Sequence, residues 1–164
     1  MAIVHDPRWD GGMTTHPLPS QALTVAALVV VGLQAGTYFT WATGVMPGLA
    51  RVDDHTFVTT MQQVNVAIVN PVFLTTFVTA PLLAGAVAAL GGPSARPWAL
   101  AATALAVATV AITAAGNVPL NDALAVDGVR AAFESRWVLL NACRALTSAG
   151  ALACLGVAAL RLRG

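Results

Sequence analysis

Polar and apolar positions fall in long blocks along this chain, not at the short periods of a soluble helix or strand. Residues 11–50 hold no Asp, Glu, Lys or Arg, and neither do 56–95 or 97–121. Charges gather at 122–136, and Arg144 alone interrupts the run from Trp137 to Leu160. A helix that crosses a bilayer needs about 20 apolar residues. Four segments meet that need, at 22–44, 72–90, 98–116 and 137–160. At ~1.5 Å per residue the first and last reach about 34–36 Å, enough to span with some tilt. The predicted fold is all-α: an antiparallel four-helix transmembrane bundle. Its first and third loops, 45–70 and 117–136, build a polar extramembrane cap. Residues 1–20 read as a disordered polar lead-in, and 21–164 as a single four-span membrane domain. The apolar run after the lead-in is too long for a cleavable signal and lacks an adjacent small-residue cleavage site.

Local signals refine the elements. Ser20 is a good cap for the first helix. Gly32, Gly36, Thr40 and Gly44 recur every four positions, a stripe that lets a neighbouring helix approach closely. Tyr38, Phe39 and Trp41 near the outer end read as an interfacial aromatic belt. The run Val45-Met46-Pro47-Gly48-Leu49 is expected to break this helix. Asp53 or Asp54 caps the next one. It runs as a polar extension over 54–71 and bends at Asn70-Pro71 into the second span, with Gln63, Val66, Ala67 and Asn70 on one face turned to the bundle. Gly91-Gly92-Pro93-Ser94 is a short turn. Gly116 and Pro119 are expected to stop the third span, and the last helix to begin around Val129–Phe133.

Composition narrows the function classes. The chain is 57% hydrophobic and 9% charged, against about 25% charged in ordinary soluble domains. That excludes a soluble enzyme domain and a disordered chain. The net charge of +1 offers no basic patch, so nucleic acid is not a partner. The partners implied are the lipid bilayer and a small hydrophobic or aromatic ligand; a homo-oligomer stays open. Every cation is Arg, and the alanine-rich, lysine-free sequence points to a high-GC bacterial genome and a bacterial inner membrane. Arg8, Arg96, Arg161 and Arg163 against Arg51, Arg130 and Arg136 favour cytoplasmic termini. Cys143 and Cys154 lie about 16 Å apart on one helix, too far for a disulfide.

Candidate chemistry sits on few residues. Glu134, Trp137, Asn141, Arg144 and Ser148 share one face of the last helix. An ionised side chain inside a membrane costs at least ~2.5–3.5 kcal/mol, so Arg144 needs acceptors. Candidates are Glu134, Asn141, the amides of Gln62, Gln63, Asn65 and Asn70, and Asp53 or Asp54. Two readings stay open: Arg144 holds a bound anion or enolate, or it cross-links helices. His55 is either a general base or a surface residue at a helix start. No paired His, Glu or Cys spacing suggests a metal, and the sequence requires no cofactor, which leaves its identity unknown.

Several motifs occur in a fixed order. They are Gly36-x4-Trp41, Val45-Met46-Pro47-Gly48-Leu49, and Phe57-Val58 through Met61-Gln62, Asn65 and Asn70-Pro71-x-Phe73. Asn117-Val118-Pro119-Leu120-Asn121 and Trp137-x3-Asn141-x2-Arg144 follow. Over residues 22–160 the chain resembles the anthrone oxygenase-like family of small four-helix membrane proteins. Fungal members of that family oxidise polyketide anthrones to anthraquinones with O2, without a classical cofactor. The resemblance implies a base, His55 or Asp54, and donors for an enolate oxygen, Arg144, Asn141 and Asn117. It further implies an apolar pocket lined by Trp41, Phe73 and Trp137, with the amides of Gln62, Asn65, Asn70 and Asn121 around the substrate. Leu140 stands where many relatives carry an aromatic. The rival reading is a non-catalytic membrane protein that binds a lipid or small hydrophobic ligand or assembles with a partner. An enzyme should leave one shared cavity between the polar stripes of the second and fourth spans. In the rival those stripes pair off.

Overall fold

The computed structural model describes residues 18–162. Its helices are α1 (Leu18–Thr40), α2 (Met46–Leu49), α3 (Asp54–Ala67), α4 (Pro71–Leu90), α5 (Arg96–Ile112), α6 (Val118–Asp127) and α7 (Arg130–Arg161). Most of the lead-in, with His5, Arg8 and His16, lies outside the described residues, as does Arg163. Four helical rods are long and apolar enough to cross a membrane: Ser20–Leu49, Pro71–Leu90, Arg96–Asp127 and Arg130–Arg161. They form an up-down-up-down bundle in which α1 and α5 each pack on both α4 and α7.

Lipid tails are as apolar as leucine, so close approach of small side chains has to hold such helices together. The core around α4, α5 and α7 follows that rule. Ala27, Ala84, Ala88, Ala99, Ala102, Ala151 and Ala158 are buried together with Val31, Val87 and Leu155. Larger apolar side chains such as Val25, Val29, Leu33, Leu82, Val107 and Leu146 point outward, as helices facing hydrocarbon require. The glycine stripe of α1 is not an intramolecular seam. A methyl group at Gly32 would touch Leu152 at 3.9 Å, but Gly36 and Gly44 have nothing within 4 Å.

Two expected helix ends turn out to be continuations. The first rod passes through a π-helical turn at Trp41–Val45 into α2, and the third through one at Thr113–Asn117 into α6. Both carry Gly-x-x-Pro, as Gly44-Val45-Met46-Pro47 and Gly116-Asn117-Val118-Pro119. Proline lacks the N–H that an α-helix uses and its ring crowds the preceding turn. Here the residue before each proline donates one position further back, Met46 N–H to the Trp41 carbonyl and Val118 N–H to the Thr113 carbonyl. The wider turn accommodates the proline without ending the helix. The third rod therefore runs beyond 116 to Asp127, and the fourth begins at Arg130, before 137.

The bent helix expected over 54–90 is instead two helices. α3 ends at Ala67, and Asn70 adopts an extended conformation (φ −118°, ψ 160°), as a residue preceding proline favours. Its Oδ1 accepts from the Phe73 N–H at 3.0 Å and its Nδ2 donates to the Ala67 carbonyl at 2.9 Å. Asn70 thus caps the new helix, with Pro71 at its first position. The face of α3 expected to turn inward points out: Gln63, Val66 and Ala67 are exposed. Phe57 and Met61 are the side chains α3 buries, in a cluster with Met46, Leu124, Phe133 and Trp137.

The loop before α3 is tied to α7 by Arg130. Its guanidinium pairs with Glu134 at 2.7 Å and Asp54 at 3.1 Å. It also donates to the Val52 and Ala50 carbonyls and lies 4.3 Å above the Phe57 ring. Gln62 Nε2 donates to the Leu124 carbonyl at 2.9 Å and ties α3 to α6.

Candidate functional site

At the end of the bundle away from the α4–α5 turn the close packing gives way to a cavity of about 170 Å³. α1 contributes Tyr38, and its π turn Trp41. The end of α3 supplies Asn65 and Ile68, and the start of α4 supplies Phe73 and Phe77. Thr113, Asn117 and Asn121 come from the third rod, and Trp137 and Arg144 from α7. Both π turns therefore place a side chain in the wall. Val69, Leu74 and Val118, all exposed, lie at its rim.

Arg144 is the charged residue of this lining. It is buried (6% exposed), and none of the carboxylates suggested for it reaches it: Glu134 and Asp54 pair with Arg130, and Asp53 bonds Thr56. Its Nη2 donates to Asn141 Oδ1 at 3.0 Å. Asn141 Nδ2 donates in turn to the Tyr38 carbonyl at 3.1 Å. Two aromatic faces complete the surroundings, with the guanidinium carbon 4.6 Å from the Tyr38 ring centre and 5.3 Å from that of Trp137. Cation–π contacts ease the burial of a cation, but they leave its net charge in place.

The polar groups around Arg144 do not pair off. Arg144 Nε, Tyr38 Oη, Asn65 Nδ2 and both side-chain polar atoms of Asn117 are buried without a hydrogen-bond partner. Each such group costs about 1–3 kcal/mol if it stays unpaired. Trp137 is an exception, since its Nε1–H donates to Asn121 Oδ1 at 3.0 Å. Trp41 stands 5.3 Å from Trp137, ring centre to ring centre, and Phe73 stacks on Phe77 at 5.7 Å. The result is an aromatic-walled cavity with an uncompensated cation and free amide and hydroxyl groups.

Of the residues expected from sequence, Trp41, Asn65, Phe73, Asn117, Asn121, Trp137 and Arg144 line this cavity. Asn141 stands behind Arg144 and orients it. Gln62 and Asn70 serve the backbone instead, as a tie between helices and a helix cap. His55 is exposed on the first turn of α3 and is not among the lining residues. Asp54 is likewise exposed and paired with Arg130. Neither is among the residues that line the cavity. Asp53 caps α3: its carboxylate accepts from the Thr56 hydroxyl at 2.7 Å and the Thr56 N–H at 3.0 Å. Those bonds, the hydroxyl first, hold its pKa below the ordinary 3.8.

Sequence reasoning missed Tyr38, assigning it to an interfacial belt, and missed Thr113 and Phe77. Tyr38 lies three positions before Trp41, on the same helix face, which is the signal that joins the two. Among the described residues no three His, Cys, Asp or Glu side chains gather closely enough to share a metal ion. The cavity's own donors, a guanidinium and amides, suit an oxyanion better than a cation.

The model of the anthrone oxygenase family matches residues 64–154, just over half of the chain. The chain belongs to the anthrone oxygenase family. The matched stretch runs from the end of α3 into α7 and takes in Asn65, Phe73, Asn117, Asn121, Trp137, Asn141 and Arg144. Tyr38 and Trp41, supplied by α1, lie outside it. No curated protein and no solved structure matches the chain.

Proposed function

We propose that this family member is an oxygenase that holds the deprotonated form of a lipophilic, planar aromatic ketone at Arg144 and lets it react with O2. One observation carries the reading: a buried cation without a carboxylate partner faces an aromatic cavity among polar groups that have no partner. Those groups become satisfied when a ligand brings an anionic oxygen. A site that pairs better with the enolate than with the neutral ketone favours ionisation.

An anthrone carries an acidic CH2 group opposite its carbonyl. Loss of one proton to water leaves an enolate whose negative oxygen lies at Arg144. The electron-rich carbon reduces O2 and bonds to it. The resulting peroxide takes up one proton and the hydroperoxide loses water. One oxygen atom ends in the new carbonyl and the other in water, so one substrate and one O2 give one quinone and one H2O. Trp41, Phe73 and Trp137 stack on the planar substrate. The apolar rim at Val69, Leu74 and Val118 admits a molecule dissolved in lipid. With the termini in the cytoplasm, this rim lies in the outer leaflet of the membrane.

The test is O2 uptake by the purified protein in detergent with emodin anthrone, with quinone absorbance followed alongside. Arg144→Leu should lower the catalysed rate at least ~100-fold, the scale for removing one oxyanion-stabilising group. It should still fold, because a buried cation without a counter-ion adds little stability. Wild-type uptake no faster than the spontaneous reaction contradicts the proposal.

A further inference from the structure

The aromatic ring and the hydroxyl of Tyr38 do different things in this cavity. The ring lies under the Arg144 guanidinium, 4.6 Å from centre to carbon. The backbone carbonyl accepts from Asn141, which also accepts from Arg144. Ring and carbonyl thus belong to the packing that positions Arg144. The hydroxyl does not. Tyr38 is 2% exposed, and its Oη is buried without a partner. Buried tyrosine hydroxyls usually find one. The neighbouring Thr113 hydroxyl donates to the Thr109 carbonyl at 2.9 Å and keeps free lone pairs, but it does not reach hydrogen-bond geometry with Tyr38 Oη, and Asn121 Oδ1 accepts from Trp137.

A phenol hydroxyl beside a fixed cation donates to an anion more readily than it accepts from a neutral donor, because the positive charge favours negative charge in the space between them. We infer that the Tyr38 hydroxyl is a second donor to the ligand's anionic oxygen, acting beside Arg144 to make the cavity prefer ionised phenols and enolates over their neutral forms. The inference rests on the cavity reading above and adds the residue that selects for ionised oxygen. Uncharged aromatic ligands of equal size offer the hydroxyl only a neutral, weaker acceptor and bind more weakly. Tyr38 touches the ligand itself, whereas Asn141 acts through Arg144.

The experiment uses the full chain in detergent with 4-nitrophenol, whose ionised form has its own visible absorbance. The apparent pKa of the bound probe is read against micelles without protein, for wild type and Tyr38→Phe. The phenyl ring keeps the contact with Arg144, so the variant should fold, and its melting temperature is recorded. The expected result is a probe pKa lowered by about one unit or more in wild type, with at least half of that shift lost in Tyr38→Phe. In turnover of emodin anthrone the same variant should lose ~10²–10³-fold in kcat with KM changed far less. An equal pKa shift in wild type and folded Tyr38→Phe overturns the role of Tyr38 and leaves the cavity reading standing. No lowering in wild type overturns both.

A second measurement needs no variant. Tyr38 is the single tyrosine of the chain, so biosynthetic 3-fluorotyrosine places one fluorine beside this hydroxyl. Its ¹⁹F resonance should move on titration with 4-nitrophenolate and stay in place with 4-nitroanisole, which cannot ionise. Equal responses to the two probes overturn the inference even where Tyr38→Phe does not fold.

Discussion

The two ends of the bundle solve the same packing problem in opposite ways. Toward the α4–α5 turn, alanines from every rod meet at the axis, and the threonine hydroxyls bond back to their own helices, as Thr24 does to the Ser20 carbonyl and Thr103 to the Ala99 carbonyl. Little space is left. Toward the other end, two π turns widen the rods, large aromatic side chains replace alanine, and a cavity opens among polar groups that have no partners. Small side chains give close helix contact in lipid, so the alanine-rich half holds the bundle together. The aromatic half can then retain a void and unpaired donors that would be costly in a core with no other support. Such local departures from packing are expected where a site is built.

Arg144→Leu should give the largest effect on the aromatic half: turnover falls at least ~100-fold with the helices intact by circular dichroism. Loss of the folded protein would move Arg144 into the scaffold and erase the division between the two ends. The alanine half is probed by Ala102→Leu, which forces a large side chain into a fully buried position. Overpacking of this kind costs about 1–3 kcal/mol. It should lower the melting temperature while the activity of the protein that remains folded is unchanged. An unchanged melting temperature would mean that this core has room to spare.

The smallest effect concerns α3, which covers the cavity. The pKa of Asp53 is depressed in the folded state by its bonds to Thr56. Its capping contribution is therefore complete above the ordinary value of 3.8 and is lost as pH falls through the lower, folded value. Amide exchange in the first turn of α3, corrected for intrinsic rates, should accelerate only in that acid range. In Asp53→Asn, which keeps a capping oxygen but cannot titrate, the acceleration should vanish.

The four spans and much of the cavity were legible in the sequence, because charge-free blocks and a 3-4 spacing of polar residues are local patterns. Trp137, Asn141 and Arg144 must share a face of any helix that contains them, and Asn117 and Asn121 likewise. The helix ends were misread for a physical reason. Pro47 and Pro119 are breakers by local rules, and only a π turn one position upstream lets the helix carry on. Tyr38 was misplaced because an aromatic near a helix end fits an interfacial belt equally well. What separates the two is the position of Arg144, more than a hundred residues later, over its ring. His55 is the contrasting case: its chemistry left a base and a surface residue at a helix start equally open. It stands exposed on the first turn of α3, at the other end of that helix from Val64 and Asn65 in the lining.

The central claim is that the unpaired groups of the aromatic half serve a ligand and not the fold. Asn117 tests it most directly, since both its side-chain polar atoms are buried without partners. The measurement is the melting temperature of Asn117→Leu beside its turnover of emodin anthrone. Replacing an unsatisfied buried amide by an apolar group of similar shape is neutral or stabilising, so the account predicts an equal or higher melting temperature together with a loss of most of the activity. A lower melting temperature with turnover unchanged would contradict it.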